Sequence, residues 1–544
     1  MPQCLTVTSP AKNSSSQRWI RLRQDLYEQV QSHVKALLGQ TSHGLARYQQ
    51  QYDQEFRRAW KVSTRDKLMA SLKSAEIVFM GDFHALAQSQ RAQLRILKSL
   101  PNPEKVVLAV ECIEAHQQNN LDQFIQGKLD EREFLKSVDW KKTWGFPWEN
   151  YKPLFRWAQK NKLPVKALNL RNDQKTVQTL KARDRFAAEK IAEISLQYPD
   201  HQIFVIFGDL HLAKNHLPGE TIKRLGSKKT LSIFQNSEKI YFQLLRKEIE
   251  HQVDLVQLSK DRFCVLSVPP WVKWQNYLIF LEQFDDKSFQ DEMDFTDHVA
   301  RYIRIISEDL GVEISNDHFS IVSANDSKAW TALQKGLSEL DTGVVREWIG
   351  NERNFFIPQT AVGYLARSTV NSAAQLAMSI VFANLSGQKK LYGKMPGDFL
   401  RLIWLEAVQY FGSKLINPKR KSDTLVDIKA ALQARNPSDL GKLALQLALN
   451  QRMLELLHLS GSRKTIVQTP VKKKKAYQEA ARILGGMLGE KLYHAYRKKL
   501  LSRSSLMSLL RKPVDADEFR EIYWEILEIL EGFPEPFQSK TEKL

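Results

Sequence analysis

Cysteine is scarce in this sequence: 544 residues hold three, Cys4, Cys112 and Cys264, far apart along the chain. That excludes a disulfide framework and a cysteine-built zinc cluster, and a reducing compartment is expected. The chain also lacks any run of ~18 uninterrupted apolar residues that would cross a bilayer. The stretch at 372–386, SAAQLAMSIVFANLS, is apolar but too short. The opening residues, MPQCLTVTSPAKNSSSQ, show no basic start followed by an apolar core, so no secretory leader is expected. Both Gly-rich phosphate loops and the Gly-x-Ser-x-Gly elbow are missing, which removes the functions built on them. A soluble, cytoplasmic protein is the expectation.

Acidic residues are the minority charge. With 80 Lys and Arg against 61 Asp and Glu, the net charge is +19, enough to attract an anionic partner. The excess is spread along the chain, however, and reads first as a solvated basic surface. The basic runs Lys472–Lys475 and Pro418–Lys421 carry no interleaved aromatics. Solvated loops are expected there, with no clear nucleic-acid motif.

What the chain does have is a repeated phrase. Residues 76–84 read EIVFMGDFH and residues 203–211 read IFVIFGDLH. Each is an apolar run stopped by Gly-Asp-x-His. Such a run suits a strand covered on both faces of a parallel sheet, and the Gly lets the chain turn out at the strand's carboxyl end, the edge where open α/β sheets bind ligands. Strands are expected near 76–80, 105–111, 164–170 and 202–207, alternating with helices, with their ends on one edge. Further strand-like pieces lie at 230–234, 240–245 and 263–268. Helices are expected at 17–39, 45–72 and 175–197, and a long helical excursion at 115–161.

Residues 1–16 are polar and read as disordered. Residues 17–290 read as an α/β domain with N-terminal helices. Residues 291–544 read as a separate, mostly helical domain of unknown role, with few strand signals.

The strand ends deliver Asp82 and His84, Glu111, Asn169 and Arg171, and Asp209 and His211, with Gly81 and Gly208 at the turns. Two imidazoles and a carboxylate in one crevice suit a divalent metal or a cofactor's iron. They equally suit proton transfer, with a His as general base. Arg171 suits a ligand carboxylate or phosphate. The plainer alternatives are that Asp82 and Asp209 cap the following helices and that Glu111 pairs with Arg171. The aromatic insert at 140–151 brings Trp140, Trp144, Phe146, Trp148 and Tyr151. These read either as core packing or as the wall of a flat apolar ligand such as a porphyrin, with Tyr151 as an axial oxygen ligand.

These pieces together resemble the ChaN-like domain, a family named for an iron-regulated haem-binding lipoprotein. It sits in a superfamily with the Tiki metalloproteases, TraB proteins and erythromycin esterases. The resemblance runs from Glu76 to about Gly226. It rests on Gly81-Asp-Phe-His84, the strand ending in Glu111, LDQFIQG at 121–127, the downstream Trp-Gly and Tyr-Lys-Pro-Leu, LPVKALNL at 163–170 and Phe207-Gly-Asp-Leu-His211. Family members usually carry Glu in the first motif, with more His shortly after; here Asp82 stands, followed by Gln88, Ser89 and Gln90. The resemblance implies an α/β fold with a cleft at His84, Glu111 and His211. It implies haem or metal binding there, or, as in the hydrolytic branches, metal-dependent or His/Glu-based peptidase or esterase chemistry. The ligand would be a small molecule, haem or an ester or peptide substrate. A non-catalytic scaffold is the third reading.

Overall fold

The computed structural model describes residues 14–39, 43–170, 177–226, 228–285, 295–314, 319–324, 326, 328–433, 439–462 and 473–534. The chain separates into two compact units, with the division between Leu281 and Glu282.

The first unit is built on an eight-stranded sheet. Its strands are β1 Lys61–Val62, β2 Ile77–Asp82, β3 Val106–Glu114, β4 Val165–Asn169, β5 Gln202–Gly208, β6 Thr230–Gln235, β7 Leu255–Ser259 and β8 Arg262–Val265, in the order β1-β7-β8-β6-β2-β5-β3-β4. From β8 to β4 neighbours run parallel, while β7 is antiparallel to both β8 and β1. The apolar runs become strands because alternate side chains enter two different cores. Val78, Met80, Leu108, Val110, Phe204 and Ile206 face one cluster, and Ile77, Phe79, Val107, Ala109, Ile203 and Val205 face the other. The helices Ala87–Lys98 and Trp148–Lys160 cover the first face, and Val177–Gln197 and Glu238–Arg246 the second.

β2 and β5 lie side by side with Gly81 opposite Phe207 and Asp82 opposite Gly208. The two repeated phrases therefore end next to each other, one residue out of step. β3 pairs with β5 through Val110 opposite Ile206, which puts Glu111 at the same edge.

Three expectations are corrected here. Residues 240–245 are helical, within Glu238–Arg246: Ile240, Tyr241, Leu244 and Leu245 are buried at a spacing of one, three and four, the helical period rather than the strand's. Residues 45–72 form two helices, His43–Gln54 and Arg65–Ser74, parted by β1. The helix Pro270–Asp285 lies where none was expected.

The second unit is mostly helical, with a three-stranded sheet of β9 Ser320–Ser323, β10 Phe355–Ile357 and β11 Val362–Leu365 in the order β10-β11-β9. Helix Phe399–Ile416 packs closely on Lys474–Arg497, because a Cβ on Gly485 would stand 2.8 Å from the Ile403 carbonyl and one on Gly489 2.3 Å from that of Ala407. The Pro418–Lys421 run is no solvated loop. Lys419 is buried, and the buried Lys414 ammonium binds the carbonyls of Pro418 and Arg420 at 2.7 and 2.8 Å and Glu490 at 2.9 Å. The buried carboxylate of Glu490 holds Lys414 inside, and Lys414 ties the run down. Among the described residues, no helix is long and apolar enough to cross a membrane.

Candidate functional site

The two phrases end differently. β2 continues through Asp82, so the Asp82 carboxylate stays beside its own motif and accepts from His84 Nδ1 at 2.9 Å. Asp82 is buried and is held further by the Tyr151 hydroxyl at 2.7 Å and by the Gln90 amide. Gln93 ties the same turn through the Gly81 carbonyl at 2.7 Å. Asp82 is therefore no helix cap: the helix Ala87–Lys98 starts with no side-chain cap at all.

β5 stops at Gly208, and Asp209–Leu212 winds into a 3₁₀ turn. That rotation carries Asp209 away from His211. Asp209 accepts from the Gln235 backbone N–H at 2.9 Å and from the Tyr52 hydroxyl. Burial, against the pull of Tyr52 and Lys273, pushes its pKa up to about 6. His211 instead gives Nδ1 to Asp184, at 2.6 Å, on helix Val177–Gln197, and Tyr48 donates to the same carboxylate at 2.6 Å. Each motif histidine thus stands on an Asp–Tyr pair, by different routes.

The histidines and Glu111 converge on one point. A Cβ built on Gly208 would lie 3.3 Å from Glu111 Oε2, 3.4 Å from His84 Nε2 and 3.4 Å from His211 Cδ2. Glu111 accepts the Gly208 N–H at 2.6 Å and pairs with Arg183. Burial drives the Glu111 pKa up, but the charges of Arg183, His84 and His211 outweigh it and the result lies below the usual range. For His84, burial lowers the pKa, and the hydrogen bond and charge of Asp82 with the charge of Glu111 raise it further than that. His84 Nε2 stands 3.9 Å from Glu111 Oε2. Depth separates the imidazoles: the His84 side chain is 23% exposed and that of His211 5%.

At the mouth, the His84 ring meets Trp144 and Phe146 with centroids 4.5 and 4.9 Å away. Phe146 stacks on Phe280 at 4.5 Å, and Phe280 on Tyr277 at 6.1 Å. All five side chains are half-buried, so an aromatic shelf flanks the motif histidine that reaches solvent. Trp148 is not part of it: it is buried against Phe124, Phe134, Trp140 and Phe155. Tyr151 is also buried, with its hydroxyl on Asp82. Burial and the Asp82 charge push its pKa well up, so a phenolate ligand is disfavoured there. Asn169 ends β4 opposite Glu114, one strand beyond Glu111. Arg171 lies outside the described residues; among those described, Arg183 pairs with Glu111.

The sequence reading offers His84, Glu111 and His211 as metal ligands. Among the described residues, no group of three or more His, Cys, Asp or Glu is arranged to hold a metal ion. Glu111 is committed to Arg183 and Gly208 N–H, and His211 Nδ1 to Asp184.

Arg183, Asp184, Tyr48, Tyr52 and the shelf residues Tyr277 and Phe280 were not singled out from the sequence. For the first two a signal existed: an adjacent Arg-Asp pair between the apolar Leu180 and Phe186 of an amphipathic helix. The tyrosines and the shelf give none.

Fold and site define an α/β protein whose chemistry gathers at the carboxyl edge of a parallel sheet. Residues 68–178 match a family model described as haem-binding uptake, Tiki superfamily, ChaN. That stretch contains His84, Glu111, Trp144 and Tyr151 but ends before Arg183, Asp184 and the second motif. A solved structure titled as cofacial haem binding to ChaN of Campylobacter jejuni is 15% identical, covering 34% of this chain and 92% of that one, with a TM-score of 0.26. No curated protein matches the chain.

Proposed function

We propose that the strand-end cleft binds haem, with His84 Nε2 facing the iron and Trp144 and Phe146 against the porphyrin. One observation carries this reading. His84 stands at the mouth on an aromatic shelf with Nδ1 committed to Asp82, so Nε2 keeps its lone pair. A histidine that donates its second nitrogen to a carboxylate is oriented and made more basic, as iron-ligating histidines are. The family description matched by residues 68–178 supports the ligand class. Tyr151 and His211 fit an axial role poorly, since both are buried and turned to carboxylates. Iron held there supplies redox and Lewis-acid chemistry; the chain binds, orients and shields it.

The test is an absorption titration of the purified protein with haemin. His84→Ala is expected to weaken binding about tenfold or more, a loss of ~1.4 kcal/mol, while His211→Ala stays within about threefold. Wild-type affinity in His84→Ala overturns the assignment.

A second reading has its own observation. Two imidazoles, each with a carboxylate at Nδ1, flank Glu111 held by Arg183, an arrangement suited to general acid–base hydrolysis of an ester or peptide. Turnover of a responsive substrate should disappear in His84→Ala and Glu111→Gln. Unaltered turnover in both sinks this alternative.

A further inference from the structure

Asp82 is the buried carboxylate that stands directly behind the solvent-facing histidine. It is 4% exposed, and its partners are the Tyr151 hydroxyl at 2.7 Å, the Gln90 amide, the Gln93 amide at 3.4 Å and His84 Nδ1 at 2.9 Å. The first three donors are neutral. Among the described residues, no Lys or Arg forms an ion pair with Asp82, whereas Glu111, at the same edge, has Arg183. His84 is thus the one partner through which Asp82 can meet positive charge.

A buried charge with no Lys or Arg partner is costly. That cost falls when positive charge appears on the far side of the imidazole, at Nε2, because the ring's Nδ1–H bond couples the two ends. Glu111 Oε2, 3.9 Å from Nε2, adds a second negative oxygen near the same point. The aromatic shelf supplies apolar contact whatever metal the ring carries, so it does not discriminate between metals. Discrimination lies with the carboxylates.

We infer that the cleft selects its porphyrin by metal charge, favouring a trivalent centre, ferric haem, over divalent or metal-free porphyrin, with Asp82 as the residue that sets the preference through His84. This rests on the haem reading above, and the experiment separates the failure of each. Asp82 touches no ligand in this scheme; it is a positioning residue.

The probes are gallium(III) and zinc(II) protoporphyrin, which differ in metal charge and undergo no redox change. Each is titrated into the full chain by fluorescence, and the ratio of the two affinities is compared between proteins, so that each metal's own taste for imidazole cancels. Asp82→Asn is expected to lower the gallium-to-zinc ratio about tenfold or more, the size expected for unit charges several ångströms apart at an effective dielectric constant of ~20. Tyr151→Phe removes one donor from Asp82, leaves more of its charge for His84, and is expected to raise the ratio. Opposite shifts in the two variants uphold the inference. A ratio unchanged in both overturns it even if haemin binds through His84. If Asp82→Asn does not fold, the direction seen in Tyr151→Phe decides. If wild-type protein takes up neither porphyrin nor haemin, the haem reading falls and this inference with it.

Discussion

Two regions of this molecule share Gly, Asp and His at the same spacing and differ in what they do with them. At the end of β2, Gly81-Asp-Phe-His84 keeps its aspartate beside its own histidine and leaves that histidine at a solvent-facing mouth. At the end of β5, Gly208-Asp-Leu-His211 turns its aspartate to Tyr52 and Gln235 and borrows Asp184 for its histidine, deep in the unit. The glycines trade places in the same way. Gly81 is needed because the Asp209 carboxylate passes over it, where a Cβ would meet Oδ1 at 1.7 Å. Gly208 leaves open the point on which His84, Glu111 and His211 converge. A motif written twice thus gives one histidine open to solvent and one sealed inside the unit.

The comparison can be broken most sharply at the glycines. Gly81→Ala forces the buried Asp209 aside and should cost about 3 kcal/mol or more of stability, at the upper end of overpacking effects. Gly208→Ala meets only contacts of 3.3–3.4 Å, should cost about 1 kcal/mol or less, and should weaken haemin binding by filling the cradle. Denaturant midpoints of the two variants, side by side, check both. Equal losses would mean the two turns are interchangeable.

The histidines come next. His211→Ala leaves the buried Asp184, among the described residues, with only the Tyr48 hydroxyl and is expected to cost about 3 kcal/mol. His84→Ala, at a partly exposed position, is expected to cost about 1 kcal/mol or less and to show itself in the haemin titration instead. A His84→Ala protein as unstable as His211→Ala would erase the distinction between ligand-facing and bracing roles.

A further expected effect is in pH. Asp209 has a folded pKa of about 6 against an ordinary 3.8, so the native state holds its proton more tightly than the unfolded chain does. Its contribution to stability is therefore full below about pH 4 and is lost as the pH rises through about 6. Stability curves of wild type and Asp209→Asn should converge at low pH and separate, with the wild type losing ground, between those values. A pH-independent difference would mean that Asp209 does not titrate there.

Much of the fold was legible because its signals are local. The apolar runs at 76–80 and 202–207 read as strands, since both faces of a doubly covered strand must be apolar; their Gly-Asp-x-His ends named His84 and His211, and the end of the 105–111 run named Glu111. The 240–245 run was harder to read: a short apolar segment has the composition of helix and strand alike, and only the spacing of Ile240, Tyr241, Leu244 and Leu245, one face of a helix, separates the two. Trp148 looked like a ligand wall because the sequence gives its ring but not its direction. The Pro418–Lys421 run looked solvated because Glu490, which holds Lys414 and through it the run, is far away in sequence.

By itself the sequence determined the strands, the edge at which they end and the histidines placed there, because these follow from periodicity and from glycine's freedom to turn. Only the tertiary structure decided which aspartate serves which histidine, that Arg183 pairs with Glu111, and that one imidazole opens to solvent while the other is sealed. Those outcomes depend on where β5 stops relative to β2 and on side chains from helices remote in the chain. Hydrogen bonds and ion pairs act over a few ångströms of space, whatever the separation along the chain.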